Sequence, residues 1–456
     1  MKKIISIIAA VLMILALTAC GNSSTGTGDV PDDAGDQKDA AIEQDVEELE
    51  RIFSATIDEV VLVDEKDVKI TAKELTFTSY SADLELFIEN NSDRELSFYA
   101  GTMGYSINSV NHYMIADGYV GEDVAAGMQA NVTMSFDLDQ LMIYGIGDIA
   151  DIGLGFEIKD GYDDYLVTGP LEIKTSIADS YDYDKDTFRQ AMDGKALARE
   201  YGFTIDYRAD EKLFDDKGMT ILSEYVFTNE DGEQALLLEV INQSDQTRYA
   251  IVSESIVNGI AVSDYGDSEM VAPGMKAVLD VTFDSLLDPS YLELLGMNRY
   301  CDYAGLFEVR DLDGTTLSSK DIKISFDEAA SLDNFTGDTL YDANGFTVQN
   351  VGLVEDSFSY SDDLHVLLLV KNDTDKPVSV DTGFNDVYVN KLKTSAIAYG
   401  QTVKAGCYAL LDVELMGYDL EKNDLTLSDI TEISMKLEIR DDKYYTIDEP
   451  EVAIAY

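Results

Sequence analysis

The chain has no tryptophan, two histidines, three cysteines and six prolines in 456 residues. Each scarcity removes a class of chemistry. Zinc sites draw on clustered Cys and His, which this chain cannot supply. Nucleophilic catalysis needs a base beside the nucleophile. His112 and His365 have no equivalents in the repeats described below, and both read as ordinary β-sandwich residues. Cysteine this sparse is no disulfide scaffold. Cys301 and Cys407 fall in different repeats and read as free, buried thiols. Basic residues are the other shortage: 32 Lys+Arg face 89 Asp+Glu, a formal net charge of −57. Phosphate backbones are held by clustered cations, so nucleic acid is excluded as a partner. Anionic lipid headgroups are repelled for the same reason. Small cations, cationic peptides and basic wall polymers remain electrostatically compatible.

One apolar run is present. Lys2 and Lys3 precede Ile4 to Leu17, and Leu17-Thr18-Ala19-Cys20 closes it. The run is shorter than the ~20 residues a spanning helix needs and has the layout of a secretory signal. It resembles a bacterial lipoprotein signal with its lipobox, over residues 1–20. The resemblance implies that Cys20 is diacylated on sulfur, becomes the mature N-terminus and anchors the chain to the outer face of the cell membrane. Residues 21–39 are rich in Gly, Ser and Thr, then in Asp, without aromatics, and read as a disordered stalk. Ile42, Val46, Leu49, Ile52 and Phe53 recur at three- and four-residue steps and predict a capping helix within 40–57.

The rest of the chain repeats itself. Leu84-Glu85-Leu86-Phe87-Ile88-Glu89-Asn90 matches Leu236-Leu237-Leu238-Glu239-Val240-Ile241-Asn242 and Val366-Leu367-Leu368-Leu369-Val370-Lys371-Asn372. Val110-Asn111, Val257-Asn258 and Val389-Asn390 follow. A glycine stands sixteen residues beyond each of these asparagines, at Gly127, Gly274 and Gly406. Each copy closes on a strand-like run ending in acid, at Asp160, Asp311 and Asp441. Alternation in Val132–Phe136 and Ala277–Phe283 marks strands. The runs ending at Asn90, Asn242 and Asn372 read as central strands covered on both faces. Short strands joined by closely spaced turn signals predict an all-β chain of three tandem antiparallel β-sandwiches. The expected modules are 58–178, 201–330 and 345–456, with a linker helix in 179–200 and a linker at 331–344. Asp186–Tyr201 carries the first helical pattern, and Leu332–Tyr341 reads as a shorter counterpart. Gly202-Phe203-Thr204-Ile205 and Gly345-Phe346-Thr347-Val348 read as the same strand start. From Glu65 to Tyr456 the pattern resembles the immunoglobulin-like domains of unknown function in surface lipoproteins of Gram-positive bacteria. That resemblance implies fold and location and brings no active site.

Candidate chemistry is thin. Asp182, Asp184 and Asp186 stand at positions 1, 3 and 5 of a possible calcium loop, with Asp193 at position 12. Thr187 replaces the needed Gly, and Asp is shorter than the bidentate Glu. Asp186 also fits a helix N-cap. Asn111, Asn258 and Asn390 are candidates to line a ligand groove, against a simpler role bonding nearby backbone. Tyr80, Tyr360 and Tyr388 are candidate contact residues. The acidic turns at Asp160/Asp163/Asp164, Asp311/Asp313 and Asp441/Asp442 read as hairpins. The sequence therefore predicts a membrane-anchored, non-enzymatic lipoprotein without cofactor, presenting its modules to a protein or cell-wall polymer. The alternative is an accessory solute- or cation-binding lipoprotein.

Overall fold

The computed structural model describes residues 53–101, 108–210, 212–328, 332, 335–355, 363–398 and 400–456. Cys20, the stalk and residues 40–52 of the expected capping helix lie outside these. Phe53 to Glu59, where that helix would end, is not helical.

Three copies of one strand plan account for the described chain. Each begins with a two-residue turn in which both residues have positive φ: Lys66-Asp67, Lys217-Gly218 and Asn344-Gly345. Such turns match the right-handed twist of the strands they join. The outgoing strand pairs with the run ending in the repeated asparagine, so that Val68, Met219 and Phe346 lie opposite Asn90, Asn242 and Asn372. Each of these pairs carries one β-bulge, at Ala72/Glu74, Ile221/Ser223 and Asn350/Gly352. A second such turn occupies Asn111-His112, Asn258-Gly259 and Asn390-Lys391. The repeated glycines Gly127, Gly274 and Gly406 have φ of +67°, +77° and +74°. A Cβ on any of them would meet nothing within 4 Å, so backbone conformation rather than space requires glycine there.

The chain divides into two compact units, with copy one in the first and copy three in the second. Copy two contributes its first sheet to one unit and its second sheet to the other. In the first unit, Val60–Glu65, Val68–Phe77, Ser81–Asn90 and Gln129–Asp137 form a four-stranded sheet. Its residues Ile70, Leu84, Leu86 and Ile88 share one buried cluster with Phe98, Phe156 and Ile158 of a second sheet. Burying each such side chain contributes about 1.5–3 kcal/mol. That second sheet continues into copy two, because Lys276–Thr282 lies parallel to Tyr113–Met114 with Lys276 opposite Tyr113. The result has eleven strands. The second unit repeats the arrangement. There, Val366, Leu368, Leu411 and Val413 of one sheet share a core with Val380, Leu437, Ile439 and Ile454 of the other. Ile260 and Ala261 of copy two lie parallel to Tyr408 and Ala409 of copy three, in a nine-stranded sheet.

The two joints between copies are parallel strand pairs, a feature the sequence does not predict. Three expectations need correction. The run ending at Asn90 alternates half-buried and buried residues, unlike the near-continuous burial before Asn242 and Asn372. Its glutamates leave the outer face of copy one's first sheet partly open to water. The linker helix is broken in two, Thr187–Asp193 and Lys195–Glu200, by the extended backbone of Gly194. Finally, Thr339–Ala343 is a strand and not the end of a helix, pairing with Phe346–Glu355. Its turn at Asn344-Gly345 is the counterpart of Lys217-Gly218, so Phe346 corresponds to Met219 and not to Phe203.

Candidate functional site

The repeated asparagines are backbone brackets. Asn111 donates from Nδ2 to the Asp148 carbonyl (2.8 Å) and accepts from the Ala150 and Asp151 amides at 2.7 and 3.3 Å. Asn258 does the same to Arg299 (2.9 Å), Cys301 (2.7 Å) and Asp302 (3.3 Å). Asn390 binds Asp429 (2.7 Å), Thr431 (2.8 Å) and Glu432 (3.1 Å). In every copy one side chain therefore ties the turn to the strand that closes the sandwich. A second bracket is formed by Asn90, Asn242 and Asn372. Each Nδ2 reaches a carbonyl four residues on and another across the loop: Arg94 and Val124, Gln246 and Val271, Lys376 and Val403. Each Oδ1 accepts from the Ser or Thr two residues later, at Ser92, Ser244 and Thr374. The recurring Asn-x-Ser/Thr was the available signal.

The acidic segment is likewise accounted for by local bonds. Asp182 Oδ1 accepts from the Asp184 amide (3.1 Å), and Asp186 caps the helix Thr187–Asp193 through the Arg189 amide (3.1 Å). Among the described residues no group of three or more His, Cys, Asp or Glu is placed to hold a metal ion. The neighbouring Tyr183 ring stacks on His112 with centroids 4.3 Å apart. Burial raises the Tyr183 hydroxyl pKa, and it also raises that of the Asp151 carboxyl, whose Oδ2 lies 3.9 Å from His112 Nε2. His365 Nδ1 lies 2.9 Å from Asp412 Oδ1, and the Tyr291 hydroxyl donates to Asp412 Oδ2 (2.9 Å). Neither Cys301, which is buried, nor Cys407, which is half-buried, takes part in a disulfide. Tyr80 is 77% exposed and Tyr388 37%, whereas Tyr360 lies outside the described residues.

The joint between copies one and two buries a polar cluster that sequence spacing did not reveal. Glu239, fully buried, accepts from the Tyr113 hydroxyl (2.9 Å) and Ser223 Oγ (3.0 Å) and pairs with Lys276 Nζ at 3.3 Å. Lys276 Nζ also donates to the Tyr113 oxygen (3.2 Å), and the Lys276 amide donates to the His112 carbonyl (2.8 Å). Burial, offset in part by Lys276, holds the Glu239 carboxyl above its ordinary range. The cluster is enclosed by Phe188 of the linker helix, whose amide meets the Tyr113 oxygen at 3.4 Å and whose ring packs edge-on against Tyr225. Such a satisfied buried network fixes register between neighbouring strands. Separately, a groove of about 400 Å³ opens between Thr56–Val60 and Glu172–Ser176, with Asp58, Glu172 and Lys174 on its walls.

No family model matches the chain, and no curated protein matches it significantly. Among solved structures, a Porphyromonas gingivalis W83 protein of unknown function is 12% identical over 49% of this chain and 91% of its own, with a TM-score of 0.15. A structure titled for host cell surface retention of a 1.5-MDa bacterial ice-binding adhesin is 11% identical over 82% of this chain and 90% of its own, with a TM-score of 0.14. The BSP domain of a biofilm-associated protein is 10% identical over 89% of this chain and 67% of its own, with a TM-score of 0.15. At these TM-scores the fold assignment rests on the strand pairing itself.

Proposed function

We propose that the chain is a non-enzymatic extracytoplasmic lipoprotein, anchored through a lipid on Cys20, that presents tandem β-sandwich modules to a protein or a wall polymer. The carrying observation is that the asparagines repeated in all three copies bond backbone in each. What is triplicated is a scaffold, and repetition of a scaffold raises reach and avidity rather than chemistry. The lipobox-like ending at Cys20 supports the address, and likeness to Gram-positive surface lipoproteins supports the setting.

Replacing Cys20 with Ser should abolish acyl labelling and release the chain from the membrane fraction. Retention of label and membrane by Cys20→Ser would sink the anchoring part. For the binding part, full-length chain in vesicles should retain purified wall polymer saturably at physiological salt. Retention that vanishes at about 0.15 M salt, where charges are screened beyond ~8 Å, would reduce it to non-specific charge attraction. The alternative, an accessory solute- or cation-binding lipoprotein, draws on the groove walled by Asp58, Glu172 and Lys174. It predicts small-solute binding that is lost on Glu172→Leu.

A further inference from the structure

The joint between copies occurs twice among the described residues, and both halves of a third are present and left uncovered by them. On the turn side, Tyr113 of copy one and Ile260 of copy two are 2% and 0% exposed, each lying under the following copy's strand. The equivalent residue of copy three is Leu392, at the same step of the Asn390-Lys391 turn, and it is 43% exposed. On the strand side, Met275 and Cys407 are half-buried, whereas their equivalent Met128 is 60% exposed. Ala277 and Ala409 are buried and the matching Ala130 only half-buried. Gln129–Asp137 forms the edge of its sheet, pairing among the described residues with Ser81–Asn90 alone. An open edge of this kind is a template for another strand. Charge is complementary as well. Lys391 and Lys393 flank Leu392, while Glu85 and Glu89 stand on the strand beside the open edge, Glu89 opposite Gln129.

We propose that these two surfaces bind each other between chains. The Asn390–Lys393 turn of one chain docks on the Gln129–Asn131 edge of a second copy. Leu392 then lies opposite Gln129, as Tyr113 lies opposite Lys276 and Ile260 opposite Tyr408. The contact joins unlike surfaces, so chains add head to tail rather than closing as a symmetric dimer. Asn131 stands where the internal joints bury Val278 and Leu410, so this joint is weaker than they are. Confinement of chains to one surface raises the effective concentration at which it forms.

Cysteine pairing between full-length chains in vesicles tests this. A mixture of a Gln129→Cys chain and a Leu392→Cys chain is oxidised, and covalent dimer is read on a non-reducing gel. Both positions are exposed or partly so, and circular dichroism checks that each variant keeps its fold. The expected dimer yield exceeds, by roughly ten-fold, that of the unsubstituted chain and of a mixture in which Tyr162→Cys replaces Gln129→Cys. Adding Lys391→Glu and Lys393→Glu to the Leu392→Cys chain should lower the yield. A yield no higher than the Tyr162→Cys control overturns the proposal, as does a yield insensitive to the lysine reversals.

Discussion

Replacing Asn372 with Ala removes a bracket whose residue has no exposed surface. The side chain donates to the Lys376 carbonyl (2.7 Å) and the Val403 carbonyl (3.0 Å), and it accepts from the Thr374 amide (3.0 Å) and hydroxyl (2.6 Å). Alanine strips the buried Val403 carbonyl and the part-buried Thr374 amide of this mate, at about 1–3 kcal/mol for each that finds no other. With the lost packing, the expected cost is about 3–5 kcal/mol. The control is Asn390→Gly. It deletes a comparable set of bonds, but the bonds from Asn390 to Asp429 and Thr431 are exposed, and glycine accepts the φ of +49°. Water takes over, and the cost falls to about 1 kcal/mol. Two compact units make a single unfolding curve unsafe, so the assay is native-state hydrogen exchange over Leu364–Asn372. Asn372→Ala should speed exchange there by roughly two to three decades, and Asn390→Gly by less than one. Equal effects would refute the reasoning that burial, and not bond number, sets the value of the bracket.

Other outcomes follow from the same structure. Burial holds the Glu239 carboxyl above its ordinary range, so the folded state binds that proton more tightly than the unfolded state. Its contribution to stability therefore falls as pH rises from the usual carboxylate value through the raised one. The stability difference between wild type and Glu239→Gln should shift in that sense across a pH series of melts, and a flat difference would contradict it. Gly406→Ala should cost about 1 kcal/mol from backbone strain alone. Gly145→Ala should cost more than about 3 kcal/mol, because its Cβ would lie 2.1 Å from the Thr187 carbonyl oxygen. At a net charge of −57 the chain should gain thermal stability with sodium chloride. Calcium at matched ionic strength should add little. A large saturable calcium shift lost in Asp182→Ala/Asp184→Ala would restore the calcium loop.

The repeat was legible because its marks are backbone requirements. Asparagines that bracket turns and glycines at positive φ recur at fixed spacing even where the strands between them change. The sandwich class followed from alternation and closely spaced turns. The joints between copies were not legible, because the residues that meet there are far apart in sequence and differ in type. Tyr113, Glu239, Ser223 and Lys276 form one cluster, while Ile260 and Tyr408 take the same positions in the next joint. The mistaken equivalence of Gly202 with Gly345 has a similar cause. Both precede Phe-Thr and a β-branched residue, but only Asn344-Gly345 forms the two-residue turn with both φ positive. The linker helix was read as continuous because its apolar spacing survives the break at Gly194.

Three copies of one strand plan joined by one repeated joint are tested most directly by amide exchange at three equivalent positions. The Lys276 amide donates to the His112 carbonyl (2.8 Å) and the Tyr408 amide to the Gly259 carbonyl (3.3 Å). Gln129 holds the same register opposite Glu89 as Tyr408 holds opposite Lys371. In dilute, unassociated protein the Lys276 and Tyr408 amides should be protected while the Gln129 amide exchanges quickly. Fast exchange at Lys276 and Tyr408, with neighbouring strand amides still protected, would show that the copies are not joined in this way.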